Sequence, residues 1–489
     1  MTAVPKSYPS VSAMPVAGSS GGGGLGVLPL TALVAGSMIG AGVFSLPQNM
    51  ASGAGPLAVI IGWVITGIGM LGLAFVFQSL ARRRPDLDAG PYAYARAGFG
   101  PFIGFNSAWG YWLSAWLGNV SYAVVLFGAL GYFFPAFGEG NTLAAVIGAS
   151  IVLWAIHFLI LAGIRQAALA NTVATVAKIA PVILFIILVA AAFQVETFSL
   201  DWSAPALGDI LTQVKSTMLV TLWAFIGIEG ASVVSGRARD RRDVSIATMT
   251  GFLLCLVLYS AVSLLAFGTL SQTELAALSN PSMAGVLEHV VGPWGAVLIN
   301  LALVVSVLGA FLAWTIFAAE IPYAASQDGT MPEFFGGTNE SQSPSSSLWI
   351  TNGLVQIFLI IAFFQESTYE ALFSIASAAI LVPYVFSGAY ALKLALTGER
   401  YTPNESRTRD FVFGAIATIY GVWLVYAAGP VFLFMCAVLY APGIVIYIIA
   451  RLEQNAPVFT ALEALLAAGL IALAGFAGWL MWTGSISPL

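Results

Sequence analysis

Apolar residues run in long blocks along the chain, each closed by a short polar or charged cluster. A helix that crosses a bilayer needs about 20 mostly apolar residues. Reading between the clusters gives thirteen candidate helices: 26–48, 56–81, 102–134, 142–162, 172–193, 216–236, 246–270, 294–324, 347–365, 369–394, 411–428, 430–450 and 460–482. The pattern predicts twelve or thirteen spans. The third and eighth runs are long enough to tilt or break. The eleventh and twelfth meet at Gly429-Pro430, which predicts a tight turn. The runs are continuous rather than alternating, which excludes a transmembrane barrel. Residues 1–24 are polar, hold one Lys and end in Gly21 to Gly24. They read as a flexible cytoplasmic leader rather than a signal peptide.

Composition sharpens this reading. Of 489 residues, 59% are hydrophobic and 8% charged, against about 25% charged in soluble proteins. The 17 basic and 22 acidic side chains cannot clothe a soluble chain of this size, so a soluble enzyme, a nucleic-acid binder and a disordered chain are excluded. The fold class is an all-α polytopic membrane protein. Cys255 and Cys436 lie in separate apolar runs and read as packing residues, with no disulfide or metal spacing. No cofactor or metal site is expected. The two histidines, His157 and His289, are far apart, and no nucleophile elbow or phosphate loop stands out. A membrane-embedded enzyme is disfavoured for that reason.

Where the charges sit matters more than their sum. With the N-terminus in the cytoplasm, one set of loops carries Arg82, Arg83, Arg84, Arg96, Arg165, Arg237, Arg239, Arg241, Arg242, Lys393, Arg400, Arg407, Arg409 and Arg451. The opposite loops (135–141, 194–214, 271–293 and 366–368) carry Glu139, Glu196, Asp201, Asp209, Glu274, Glu288 and Glu366, with no Lys or Arg. This is the positive-inside pattern. One loop on the arginine side, 325–346, breaks it, for its charges are all acidic. An odd span count places the C-terminus outside.

Two spans are interrupted at matching places. Span 1 holds Gly36-Ser37-Met38-Ile39-Gly40-Ala41-Gly42, three glycines in seven residues at mid-span. Span 6 holds Trp223-Ala224-Phe225-Ile226-Gly227-Ile228-Glu229-Gly230-Ala231-Ser232, two glycines flanking an acid. Each glycine weakens a helix by about 1 kcal/mol relative to Ala. Gly-interrupted segments at corresponding positions of two halves point to a transporter site. Unwinding frees N–H and C=O groups at bilayer depth, tolerable where they bind something or line a wet cavity. A half-helix N-terminus attracts a carboxylate and freed carbonyls accept an ammonium, which together recognise an α-amino acid. Gly36 and Gly40 alone also fit close helix packing; the match between spans 1 and 6, with the acid, favours binding.

These residues resemble those of the amino acid–polyamine–organocation superfamily, in its basic amino acid antiporter branch. Gly36 to Pro47 resembles the broken first helix, Gly100 to Phe105 the start of the third, Tyr111 to Asn119 its substrate-facing stretch, and Phe225 to Ser232 the broken sixth helix. Leu312 to Thr315 and Asp328 to Pro332 resemble the eighth helix and the loop after it. The run Ser37 to Met50, the Asp-Ala-Gly run at 88–90 and the Phe-Gly-Glu-Gly-Asn run at 137–141 are similar to those of bacterial antiporters that exchange arginine for ornithine.

The resemblance implies a LeuT-type fold of five plus five inverted spans with discontinuous helices 1 and 6 and appended C-terminal helices. The tail would be 1–24, the transport core 25–395 (spans 1–5 at 25–193, spans 6–10 at 215–395) and the appended spans 396–489. It implies a bacterial inner-membrane protein and a homodimer. It implies a secondary transporter that takes arginine in and ornithine out, with lysine as a further substrate. By position, Ala41 and Gly42 would offer N–H groups to the substrate carboxylate. The carbonyls of Met38, Trp223 and Ile226 would hold the α-ammonium. Trp223 would gate the substrate stem and Trp314 would cap its cationic end. Ser114, Ala115 and Asn119 would line the side-chain pocket, with Tyr111 near the outer gate. Ala41 stands where relatives often carry Ser, so one hydroxyl contact is missing.

Several side chains keep two readings open. Glu229 at mid-span is costly in lipid, about +2.5 to +3.5 kcal/mol by insertion scales; it is either a gate latch or a counter-charge to a cationic substrate. Lys178 either snorkels to the interface or occupies the place of the sodium ion of coupled relatives. Glu320 reads as an interfacial acid and His157 as a packed, hydrogen-bonded histidine. Ser374 and Ser377, before Pro383, either complete the pocket or pack. An aromatic face attracts a desolvated cation by about 2 kcal/mol, which suits Trp223 and Trp314 to a basic amino acid. Exchange of arginine for agmatine, of lysine for cadaverine, and proton-coupled uptake of basic amino acids stay open as alternatives.

Overall fold

A computed structural model describes residues 26–87, 90–229, 241–365 and 368–486. Residues 1–24, the Asp88-Ala89 pair, Gly230, Ala231, Ser232, Arg237, Arg239 and Glu366 lie outside them. The described chain is helical, without a strand. In order the helices are α1 (Val27–Met38), α2 (Gly42–Ala51), α3 (Pro56–Arg83), α4 (Pro91–Phe99), α5 (Pro101–Gly131), α6 (Leu143–Ala162), α7 (Ile164–Ala191), α8 (Val195–Leu200) and α9 (Ile210–Phe225). They continue as α10 (Arg241–Ala266), α11 (Gln272–Ala276), α12 (Ser282–Val291), α13 (Pro293–Gln327), α14 (Ser345–Phe364), α15 (Tyr369–Ala379), α16 (Leu381–Thr397), α17 (Thr408–Glu453) and α18 (Ala461–Trp482).

Each of the thirteen apolar runs holds helix, and nine helical stretches among the described residues are long and apolar enough to cross a membrane by themselves. α17 counts twice. Its 46 residues would reach about 69 Å at 1.5 Å per residue, more than twice the apolar bilayer thickness. Gly429, at φ 76° and ψ 169°, adopts a backbone open to glycine and breaks it just before Pro430, as the sequence predicts. The long third and eighth runs do not break: α5 continues for 31 residues and α13 for 35. The tenth run does, at Ile380, between α15 and α16. Pro383 explains the place, because a proline early in a helix cannot serve as donor for the preceding turn.

The loops gather into the two groups that the charge pattern predicts. On one face, Arg83 pairs with Glu405 and Asp410, each at 2.7 Å, and Lys393 Nζ donates to the Gly98 carbonyl at 2.7 Å. On the other, the Gln213 amide bridges Gly55, Ser203 and Ala204, and Asp201 accepts from the Gln272 N–H at 3.1 Å. The acidic loop 325–346 has its explanation here: Arg96 pairs with Asp328 at 3.0 Å and donates to the Asp328 carbonyl and Thr330 hydroxyl. The acid neutralises an arginine instead of adding a bare negative charge to that face.

Burial sorts the helices. α5 is buried along nearly its whole length, so it forms the axis of the core. α6, α14, α17 and α18 turn large apolar side chains outward, among them Ile151, Phe158, Ile357, Ile419, Leu465 and Trp479. Apolar exposure on this scale has lipid as its solvent. The protein is a multi-pass membrane protein.

Candidate functional site

The first interruption falls where the glycines predict it. α1 ends at Met38, and Ile39 leaves the helical region at φ −76° and ψ 88°. α2 starts at Gly42 after three unwound residues. The break leaves carbonyls at the end of α1 and N–H groups at the start of α2 without their intrahelical partners. The Met38 carbonyl accepts from the Gly40 N–H at 2.9 Å, and the Gly40 carbonyl from Ser306 Oγ at 3.2 Å. The Gly36 carbonyl accepts from Lys178 Nζ at 2.5 Å. Lys178 is buried, with 1% exposure. Its first reading, snorkelling to the interface, is thereby corrected: an ammonium beside a helix C-terminus is favoured by the dipole and satisfies a freed carbonyl, which a snorkelled one would forgo.

The second interruption meets the first. α9 ends at Phe225; Ile226 turns extended at φ −60° and ψ 127°, and Gly227 takes φ +110°. A Cβ on Gly227 would lie 3.0 Å from the Ser37 carbonyl oxygen. Ser37 Oγ itself donates to the Gly227 carbonyl at 3.1 Å and to Val34 at 2.8 Å. The two unwound segments are therefore in direct contact.

Trp223 sits beside that junction. A Cβ on Gly42 would lie 3.2 Å from its Cδ1, and one on Gly118 would lie 3.0 Å from its Cη2. The indole thus lies between the N-terminus of α2 and the flank of α5. Its Nε1 donates to the Tyr369 hydroxyl at 3.0 Å, Phe373 stacks on it at 5.8 Å, and Tyr122 approaches at 5.6 Å. Glu229 is buried and accepts from Tyr111 at 2.7 Å on Oε1 and from Tyr384 at 2.8 Å on Oε2, with the Gly227 N–H at 3.3 Å. Its carboxyl joins the broken sixth helix to α5 and α16. Tyr111, expected near an outer gate, is bound into this junction.

Along α5, Ser114, Ala115 and Asn119 are buried. Asn119 Nδ2 donates to Thr315 Oγ1 at 3.2 Å. Among the described residues, Asn119 Oδ1, Ser114 Oγ and Ser377 Oγ are buried without a hydrogen-bond partner. Ser374 and Ser377 lie buried on α15, the helix that brings Tyr369 and Phe373 to Trp223. Trp314 is buried beside Thr315, but its ring packs on Phe317 at 5.6 Å; no ring contact or hydrogen bond among the described residues ties it to Trp223. His157 bonds Asn352 through Nδ1 at 3.1 Å, as a packed histidine should. Tyr369, Phe373 and Tyr384 join this cluster around Trp223 and Glu229 without any mark of their own in the sequence. Each is an ordinary aromatic in an apolar run, and the proline of span 10 is the one nearby hint.

Similar proteins agree with this architecture. The family model described as amino acid permease matches residues 25–470. An arginine/ornithine antiporter of Pseudomonas aeruginosa is 52% identical over 468 residues, covering 94% of this chain and 97% of that one. Arginine/agmatine antiporters of Chlamydia felis and Chlamydia pneumoniae are each 45% identical, over 89% and 94% of this chain and 92% and 98% of theirs. A family match over most of the chain, on a helical membrane architecture with two touching helix breaks, places the chain in the amino acid permease family of the amino acid–polyamine–organocation superfamily.

Proposed function

We propose that this chain is a secondary transporter, not an enzyme, that exchanges extracellular L-arginine for intracellular L-ornithine, one for one, by alternating access. The observation that carries this reading is the seat of Trp223 against Gly42, beside the N–H groups that open α2. An α-carboxylate on those N–H groups would leave the cationic stem beside indole, with Phe373 and Tyr369 behind it. Met38, Ala41, Gly42, Trp223 and Ile226 would hold the amino acid head. Ser114, Ala115, Asn119, Ser374, Ser377 and Trp314 would receive the tail, and the buried polar atoms without partners on Ser114, Asn119 and Ser377 suit a polar guest. Glu229, with Tyr111 and Tyr384, would act as the latch that alternates with the Trp223 gate. Lys178 would stand in place of a coupling sodium ion. The name of the Pseudomonas relative supports arginine and ornithine as the pair; lysine would be a further substrate.

The same reading takes 25–395 as the inverted-repeat core of five plus five spans and 396–489 as appended. The arginine-rich face and the N-terminus are cytoplasmic, the membrane is the bacterial inner membrane, and the assembly is a homodimer. Both amino acids carry one positive charge, so exchange moves no net charge. Proteoliposomes loaded with ornithine should take up labelled arginine, and empty ones should not; equal uptake into empty vesicles would sink obligate exchange. The Chlamydia relatives favour a second reading, agmatine as counter-substrate. Agmatine carries an extra charge, worth about 2.3 kcal/mol per 100 mV. A potassium–valinomycin potential would change the rate of that exchange and leave arginine–ornithine exchange unmoved.

A further inference from the structure

A cleft of about 540 Å³ opens on the arginine-rich face, lined by Arg82, Arg83, Pro85, Asp86, Arg400 and Glu405. Its two acids are taken. Arg83 pairs with Glu405 at 2.7 Å and stacks over the Tyr401 ring at 3.6 Å, and Arg84 pairs with Asp86 at 2.7 Å. Arg82 and Arg400 are exposed, and among the described residues neither has a carboxylate within 4.0 Å. Two guanidinium groups therefore line one cleft outside contact with any carboxylate, each attracted only at longer range, Arg82 to Glu405 and Arg400 to Asp86, and three arginines against two acids leave the lining at a net charge of +1. Arg400 also holds φ +66°, a left-handed backbone that a side-chain-bearing residue keeps only where its surroundings hold it. Its carbonyl accepts from Arg83 Nη1 at 3.4 Å, which ties the turn to the end of α3.

The exposed apolar residues that neighbour the lining in sequence bear on which anion this positive excess would suit. Leu396, four residues before Arg400, is 63% exposed, and Phe411 and Val412, which follow the Arg83 partner Asp410, are each 43% exposed. A guanidinium pair beside outward apolar side chains at the ends of two spans suits a phosphate that carries acyl chains. We propose that this cleft binds the phosphate headgroup of an anionic phospholipid in the leaflet that meets the arginine-rich face. Planar guanidinium forks match phosphate oxygens in pairs, and a basic recess between spans is the form such sites take.

The test uses the full chain purified in mild detergent and titrated with phosphatidylglycerol or phosphatidylcholine, with retained lipid counted by native mass spectrometry. Phosphatidylglycerol should be retained preferentially, and Arg82→Gln and Arg400→Gln should each weaken that retention about fivefold, the double variant more. Arg451→Gln, one charge fewer on the same face outside the cleft, should leave it unchanged. Arg82→Gln touches an exposed side chain and serves as the readout if the double variant fails to give a monodisperse peak. Equal retention of the two lipids, or a loss in Arg451→Gln as large as in Arg82→Gln, would overturn the proposal. So would full displacement of phosphatidylglycerol by millimolar inorganic phosphate, which would assign the cleft to a soluble anion.

Discussion

Ser37 Oγ donates to the carbonyl of Gly227 at 3.1 Å, across 190 residues of chain. One residue lies in the last turn of α1, the other forms the turn of the sixth span, and the bond ties the end of the first half-helix to a carbonyl freed by the second break. Ser37→Ala should lower thermal stability in detergent by about 1 kcal/mol, the net worth of one such bond. Gly227→Ala should be far worse, because a methyl group would meet the Ser37 carbonyl at 3.0 Å on a backbone at φ +110°. A Gly227→Ala protein with unchanged melting and exchange would show that this junction is not tight.

Tyr111 and Tyr384 act on one carboxyl. Tyr111→Phe and Tyr384→Phe should each slow arginine exchange, and the double variant should lose less than the product of the two effects, as coupled neighbours do. Initial rates in ornithine-loaded vesicles close the cycle. Strictly multiplicative losses would mean that the phenols work separately.

Trp223→Leu should weaken arginine binding about 30-fold, from the loss of about 2 kcal/mol of cation–π attraction. Trp223→Phe keeps a ring but gives up the bond to Tyr369 and should fall between. Isothermal calorimetry on purified protein distinguishes them, and equal affinities for Leu and Phe at this position would remove the ring from the argument.

Lys178→Met should cost about 1–3 kcal/mol of stability, the penalty for leaving the Gly36 carbonyl buried without a donor. Thermal unfolding with and without sodium is the measurement. A variant as stable as the parent would mean that the ammonium contributes nothing to the break.

Outside the spans, Arg83 bonded to Glu405 holds that carboxyl below its ordinary value of 4.5. A lowered carboxyl stabilises the folded loop fully above its unfolded value and loses that contribution as pH falls through the lowered one. Hydrogen exchange of 398–410, corrected for its intrinsic pH dependence, should therefore hold steady from pH 7 to about 5 and quicken only in more acid solution. Glu405→Gln should show the fast exchange already at pH 7. Loosening of this loop in the parent between pH 7 and 6 would contradict the ion pair.

Much of the fold is written in local signals. Spans announce themselves by apolar length, and the breaks at 39–41 and 226–229 by glycine at mid-run, because the cost of a glycine is paid where it stands. The loop groups follow from the placement of arginine. Long-range partners leave no such mark. Tyr384 reaches Glu229 across 155 residues, yet in its own run it is one aromatic among many. Lys178 was legible as a charged residue in a span, but whether an ammonium seeks water or a carbonyl depends on a helix 142 residues away. The short helices α4 and α12 escaped for the opposite reason, being too brief to stand out by periodicity.

The last helix reaches further inward than its rim position suggests. Glu463, in the first turn of α18, closes its own capping box with Thr460 and also accepts from the Phe102 N–H at 3.3 Å, in the opening turn of α5. α18 thereby caps the base of the helix on which Ser114 and Asn119 ride. Removal of α18 would leave the Phe102 N–H without that acceptor and loosen the opening turn of the helix that carries the proposed pocket residues Ser114 and Asn119, although no residue of α18 is among them.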